Sequence, residues 1–334
     1  MNKTIKKLLT ATLCLIVAIA PLTACKSAED YKVIELNEVT HSVFYAPLYV
    51  AIENGYFEEE KIKINLTNGG GANNSMTAVL SGTAQIGLMG PETVIYVYNQ
   101  GKKDCPKVIG QLTQKDGSFL VSRTPAENFQ WSDLQGKDIL AGRRGGVPAM
   151  TFSYMLKELG LNENEDFTLN YDVQFNLMTS AFIQGTSDYC TVFEPTASEY
   201  EKNGTWHVVA SVGQQAGEIP YTSFIALDSF VNNNADTVRS FMKALKKAHE
   251  FMAKSTDREI AESIVKQFPS TSITSIETSV ASYKKIDAWK TDLIPTAESF
   301  DRLQEIMKNA GELTEKVAFD KITNYKIARE VFGK

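Results

Sequence analysis

The stretch Leu80-Ser-Gly-Thr-Ala-Gln-Ile-Gly-Leu-Met-Gly-Pro-Glu-Thr-Val-Ile-Tyr-Val-Tyr-Asn-Gln-Gly101 decides the fold. One helix stops at Gly82, Gln85–Met89 reads as a short buried strand, and Gly90-Pro91 opens a second helix that stops at Gly101. Proline suits the first helical position because its missing N–H would have no partner there. Glycine accepts the left-handed cap at the far end. The same punctuation recurs from Ala46-Pro47 to Gly55, from Val147-Pro148 to Gly160 and from Glu194-Pro195 to Gly204. Four such helices, each following a short β-branched run or loop, point to two similar halves built from strand, turn and helix.

Working outward, Val33–Leu36, Ile62–Leu66, Val108–Leu112, Ile139–Ala141, Tyr189–Val192 and Val208–Val212 read as further strands. Strands alternating with helical segments predict an α/β architecture with largely parallel sheets. After about residue 235 the pattern changes. Ala235–Lys254, Asp257–Phe268, Ser272–Lys285 and Glu298–Ala310 read as helices, with Pro269 and Pro295 between them. The C-terminal third is expected to be a helical covering layer.

The chain has 334 residues, room for about two domains. Hydrophobic residues make up 43% and charged residues 22%, with a net charge of −6, so the composition is globular and shows no basic footprint for nucleic acid. Lys3, Lys6 and Lys7 precede an apolar stretch, Leu8–Ala20, too short to span a bilayer and suited to a signal peptide. Leu22-Thr23-Ala24-Cys25 follows and resembles a bacterial lipoprotein signal. The expectation is that residues 1–24 are removed and that Cys25 carries lipid, leaving residues 25–30 as a linker to a body held outside the membrane. Cys105 and Cys190 remain and are expected to be separate small buried residues.

No G-x-S-x-G elbow, phosphate-binding GK[ST] loop or H-E-x-x-H pair occurs, and His41, His207 and His249 share no ligand spacing. No catalytic residue, metal or cofactor is therefore assigned. The candidates lie at the helix-opening turns. Asn68-Gly69-Gly70 ends a strand, and small residues there let backbone N–H groups approach a ligand. Arg143-Arg144-Gly145-Gly146-Val147 joins a strand to a helix start. Its glycines can form an anion nest, and either Arg can contact an acidic group or lie along the surface. Gly90 and Glu92 open another helix, where Glu92 also suits the helix dipole by itself. Phe193 and Glu194 close a strand, with Glu194 a candidate acceptor for a polar heterocycle. Phe44, Tyr45 and Tyr221 are candidate pocket walls or core, and His41 precedes the first turn.

The run Tyr45-Ala-Pro-Leu-Tyr-Val-Ala-Ile-Glu-Asn-Gly-Tyr-Phe57, with Leu80–Leu88 and Asp133-Leu-Gln-Gly-Lys137, resembles the extracytoplasmic solute-binding proteins of ABC importers. The branch is the nitrate, sulfonate and taurine type, which also contains binders of thiamine pyrimidine precursors. The likeness covers nearly the whole body. It implies a type II periplasmic-binding-protein-like fold: two lobes, two crossing hinge strands near Phe119–Val121 and Ser223–Leu227, and a ligand cleft between the lobes. Lobe 1 would combine residues 31–118 with 227–334, and lobe 2 would be 119–226. The implied activity is non-enzymatic capture, by a monomer, of a small polar solute, either a sulfonate- or nitrate-type anion or a vitamin-like heterocycle. The implied partners are a permease and its ATPase. Two other readings are a fold-sharing pyrimidine-precursor synthase, against which the lack of a Cys-rich segment counts, and a sensor lipoprotein without transport. Gln85 stands where many members carry Asp.

Overall fold

The computed structural model describes residues 31–334; the expected signal peptide, Cys25 and the linker lie outside the described residues. Ten strands form two five-stranded sheets. The first holds β1 (Lys32–Glu38), β2 (Ile62–Asn68), β3 (Ile86–Met89), β4 (Pro106–Thr113) and β10 (Thr222–Leu227), in the order β2-β1-β3-β10-β4. The second holds β5 (Ser118–Ser122), β6 (Asp138–Leu140), β7 (Thr168–Asn170), β8 (Tyr189–Phe193) and β9 (His207–Ser211), in the order β7-β6-β8-β5-β9. The expected two-lobed α/β architecture is present, one sheet per lobe.

The parallel expectation needs a correction. β1 runs parallel to β2 and β3, and β6 parallel to β7 and β8. β10, however, lies antiparallel between β3 and β4, and β5 antiparallel between β8 and β9. These are the strands the chain enters after each passage between the sheets, β4 to β5 and β9 to β10. A strand that arrives from the other sheet does not close a β-α-β crossover within its own sheet, so nothing requires it to lie parallel there.

Burial explains the strand types. β3 is central and buried at every position, whereas β2 alternates buried or half-buried Ile62, Ile64 and Leu66 with exposed Lys63, Asn65 and Thr67, as an edge strand should. Helix Ala46–Glu53 is apolar almost throughout and lies buried beneath helix Ala235–Met252. The latter repeats Val238, Phe241, Met242, Leu245, Ala248 and Met252 along its inner face at helical spacing. Three sequence expectations shift. Val212 begins a helix instead of ending β9, because the Ser211 hydroxyl accepts the Gln214 N–H and caps Val212–Ala216. The segment read as helix to Phe268 turns 3-10 after Ile264. β7 and helix Met178–Gln184 carry no clear sequence signal, since β7 has only three residues at a sheet edge.

The C-terminal helices do more than cover the first sheet. Helix Ile273–Lys285 touches both the Val43–Tyr45 turn and helix Thr196–Lys202, and helix Ala297–Asn309 touches both Glu92–Asn99 and Val147–Glu158. Arg302 donates to Glu158 Oε2 at 3.1 Å and to the Ala216 carbonyl at 2.9 Å. They tie the lobes together. Cys105 and Cys190 are both buried and free. Among the described residues no helix is long and apolar enough to cross a membrane.

Candidate functional site

Three of the four proline-opened helices converge. The starts of Ala46–Glu53 and Glu92–Asn99 from the first lobe meet the start of Val147–Glu158 from the second, with Pro47 and Pro148 in first turns and Pro91 capping its helix. Between them lies a cavity of about 50 Å³. Tyr45, Gly90 and Glu92 line it from one side, and Arg143, Gly146, Val147 and Phe193 from the other. Tyr221 and Thr222, at the return passage, complete the wall.

Glu92 is the chemical centre of this space. It is 1% exposed, and its Oε2 has no hydrogen-bond partner. Burial pushes its carboxyl up to about 7, against the Arg143 guanidinium and the backbone N–H groups of Glu92, Val147 and Thr93, which favour the charged form. Those N–H groups come from both lobes. Burial also raises the Tyr45 and Tyr221 hydroxyls, with nearby carboxyls adding to it. Arg143 holds the rim: it donates to Asn73 Oδ1 of the first lobe and to the Arg144 carbonyl, each at 3.0 Å.

The remaining candidates stand elsewhere. The Arg144 guanidinium lies 4.0 Å from the centroid of the Tyr171 ring and, with Gly145, lines a separate polar recess of about 370 Å³. Gly145 has φ +70°, and its carbonyl accepts the Tyr96 hydroxyl across the lobes at 2.8 Å. Phe44 is fully buried among Tyr45, Phe193, Tyr221 and Tyr283, and its carbonyl accepts the Trp289 indole N–H. Glu194 is buried off the cavity. Its Oε2 accepts the Ser198 N–H and hydroxyl, so it caps the helix that follows it, and its carbonyl accepts the Ser42 hydroxyl at 2.6 Å. Burial raises its carboxyl while the Ser198 bonds oppose the shift. His41 is held between Glu38 Oε1 (2.6 Å) and the Gln267 carbonyl (2.9 Å); its protonation is raised because the Glu38 partnership outweighs burial, the largest single influence, which acts the other way. Asn68 accepts the Gly70 N–H in a tight turn. Gly69 approaches Ser75 Oγ and Asn37 Oδ1 so closely that a Cβ would sit 2.5 and 2.6 Å from them, and Gly70 lies beside Asn176.

Sequence reasoning missed Val39, Ala72, Gly142, Pro148, Phe175 and Thr222 as lining residues. Gly142 and Pro148 flank the chosen turn and were legible from it. Phe175 sits on a short 3-10 turn, Phe175–Leu177, that no periodicity marks. Among the described residues no group of three or more His, Cys, Asp or Glu side chains is placed to hold a metal.

A family model described as NMT1/THI5 like matches residues 43–259. A protein of Bacillus subtilis (strain 168) named "Putative binding protein YtlA" is 40% identical over 310 residues, 93% of either chain. Among solved structures, the alkanesulfonate-binding protein SsuA from Xanthomonas axonopodis pv. citri bound to MOPS is similar with TM-score 0.70 at 15% identity, over 87% of this chain and 97% of that one. The periplasmic nitrate-binding protein NrtA from Synechocystis PCC 6803 gives TM-score 0.73 at 13% identity, over 90% and 88%.

Proposed function

The chain belongs to the NMT1/THI5-like family, and on that premise we propose that it is the solute-binding component of an ABC importer, held outside the membrane by lipid on Cys25. The observation that carries this is the cavity where helix starts from both lobes meet around a buried carboxylate. The site offers a carboxylate, a guanidinium, backbone N–H groups and aromatic walls, which hold and orient a solute. Capture needs no bond to be made or broken. A small polar solute would enter between open lobes. Closure would strip its water and bring Val147 and Arg143 against Glu92, and the closed form would dock on the permease. The ligand class comprises the anions named for the similar structures and the vitamin-like heterocycles of the resembling branch. The division into lobe 1 (31–118 with 227–334) and lobe 2 (119–226) belongs to this reading, as does a monomeric state without nucleic-acid partners.

A thermal-shift screen of the purified protein tests the reading. At 100 times its dissociation constant a ligand adds about 2.7 kcal/mol, roughly 5–10 °C for a chain of this size. No shift with any sulfonate, nitrate, aminoheterocycle or amino acid, and no stimulation of a reconstituted permease's ATPase, would count against it. For the anchor, Cys25→Ser should move the protein from the membrane to the soluble fraction; retention in the membrane would remove lipid from the account.

A further inference from the structure

One carboxyl group lines the cavity with an oxygen left unpaired. Glu92 is buried, it faces the space between the lobes, and its Oε2 accepts no hydrogen bond. A buried acceptor left unpaired is costly, and a ligand donor that reaches it recovers that cost. Arg143 gives N–H groups to Asn73 and to the Arg144 carbonyl, at the rim. The same cavity is lined by Tyr45, Phe175, Phe193 and Tyr221. Aromatic faces attract cations, and a carboxylate within an aromatic enclosure suits a positively charged nitrogen. A bare oxyanion in the same place would require Glu92 to take up a proton, the opposite linkage to an ammonium.

We propose that Glu92 reads a nitrogen: the site takes solutes that present an ammonium or N–H-donating nitrogen to Glu92, with any acidic end turned to Arg143 and the Val147 helix start. This rests on the cleft being a solute site, and it narrows the ligand class within that reading. A cavity of about 50 Å³ holds roughly four water-sized volumes, enough for an ammonium head or a ring edge. The charged and titratable groups influencing or influenced by Glu92 agree with this. Arg143 is the cation that favours its ionised form, while the Tyr45, Tyr96 and Tyr221 hydroxyls all lie above their ordinary range, Glu92 contributing to each.

Matched pairs that differ only at nitrogen test the proposal by calorimetry on the purified full-length protein: taurine against isethionate, β-alanine against propionate, aminopyrimidine against pyrimidine. The nitrogen member of a binding pair should bind at least about tenfold more tightly. Taurine or β-alanine should release protons on binding, read as a heat that changes with the buffer's ionisation enthalpy, because an ammonium stabilises the ionised carboxylate. Glu92→Gln should abolish the discrimination while melting as a folded protein. Equal affinities within pairs, proton uptake, or discrimination that survives in Glu92→Gln would overturn it. Native mass spectrometry of the protein after exposure to a culture extract separates the two levels of failure. A captured solute without a nitrogen donor overturns the role of Glu92 and leaves solute capture standing. A captured solute with one supports both. No capture from the extract and no binding in any pair overturns both.

Discussion

Two adjacent arginines read identically in the sequence and part company in space. Arg143 lines the cavity, while Arg144 stacks on Tyr171 at a separate recess. Arg143→Ala should therefore weaken a ligand with an acidic end by about tenfold or more, close to 1.4 kcal/mol, and Arg144→Ala should leave affinity unchanged. Calorimetry on the two single variants decides this, and equal losses would return both to the site. Glu194 teaches the same lesson with the opposite sign. It lies at the right turn, but its side chain folds back so that Oε2 accepts from Ser198, and it is not among the residues lining the cavity. Tyr96 went unnoticed in the sequence, yet its hydroxyl joins the lobes through the Gly145 carbonyl. Tyr96→Phe keeps the ring and removes that bond, worth about 0.5–1.5 kcal/mol to the closed form. Affinity should fall by several fold with little change in melting temperature, and a melting curve moved as far as the binding constant would speak against a closure role.

At the scale of elements, the helix starts are positioned by tight backbone passages. Gly145 has φ +70°, and a Cβ there would also stand 3.1 Å from Glu312 Oε2 and 3.3 Å from the Tyr96 hydroxyl. Gly213, at the start of helix Val212–Ala216, packs against the β4–β5 passage so closely that a Cβ would lie 1.9 Å from the Asp116 carbonyl oxygen. That neighbour is backbone and cannot swing away. Gly213→Ala should cost about 1–3 kcal/mol or more by forcing the two passages apart, whereas alanine at exposed Gly82 should cost less, its penalty being the left-handed conformation alone. Chemical denaturation of the two variants orders them, and a Gly213→Ala protein as stable as the wild type would show that the passages can separate freely.

At the scale of the molecule, two buried carboxyls set a pH dependence. Asp116 lies in the passage from β4 to β5, fully buried; burial pushes its carboxyl up to about 6, although the Ser118 N–H and hydroxyl favour the charged form. Its ordinary value is 3.8, so between there and about 6 the folded chain keeps a proton that the unfolded chain has released. Stability is greatest below that window and is lost as pH rises through it, by about 3 kcal/mol from this group. Glu92 carries the same sign on toward about 7. Buried His249, pushed down to about 4 by burial, acts with the opposite sign between there and its ordinary 6.5, so the Asp116 contribution is read as the difference between wild type and variant. Asp116→Asn, which keeps an acceptor for Ser118, should match the wild type at pH 4 and exceed it at pH 8. Parallel curves at both ends would remove Asp116 as the cause.

Proline at each helix start, glycine at each stop and the β-branched runs between them were enough to determine the α/β class, the two halves and the turns that carry the site. Those signals are local: they follow from φ limits, missing N–H groups and side-chain burial that a few neighbouring residues decide. Tyr45, Glu92, Arg143 and Phe193 were legible in that way, because a helix-opening turn in such a sheet points to the cleft. The direction of each side chain was decided only by the tertiary structure. Glu92 lines the cavity with one oxygen unpaired while Glu194 bonds to Ser198, and Phe44 is packed among Tyr45, Phe193, Tyr221 and Tyr283 while Phe175 reaches the wall. The antiparallel β5 and β10 and the helices that bind both lobes also emerged only there. Except for the Glu194–Ser198 bond, which spans four residues, these depend on groups tens to hundreds of residues apart coming together, and no local propensity encodes such a meeting.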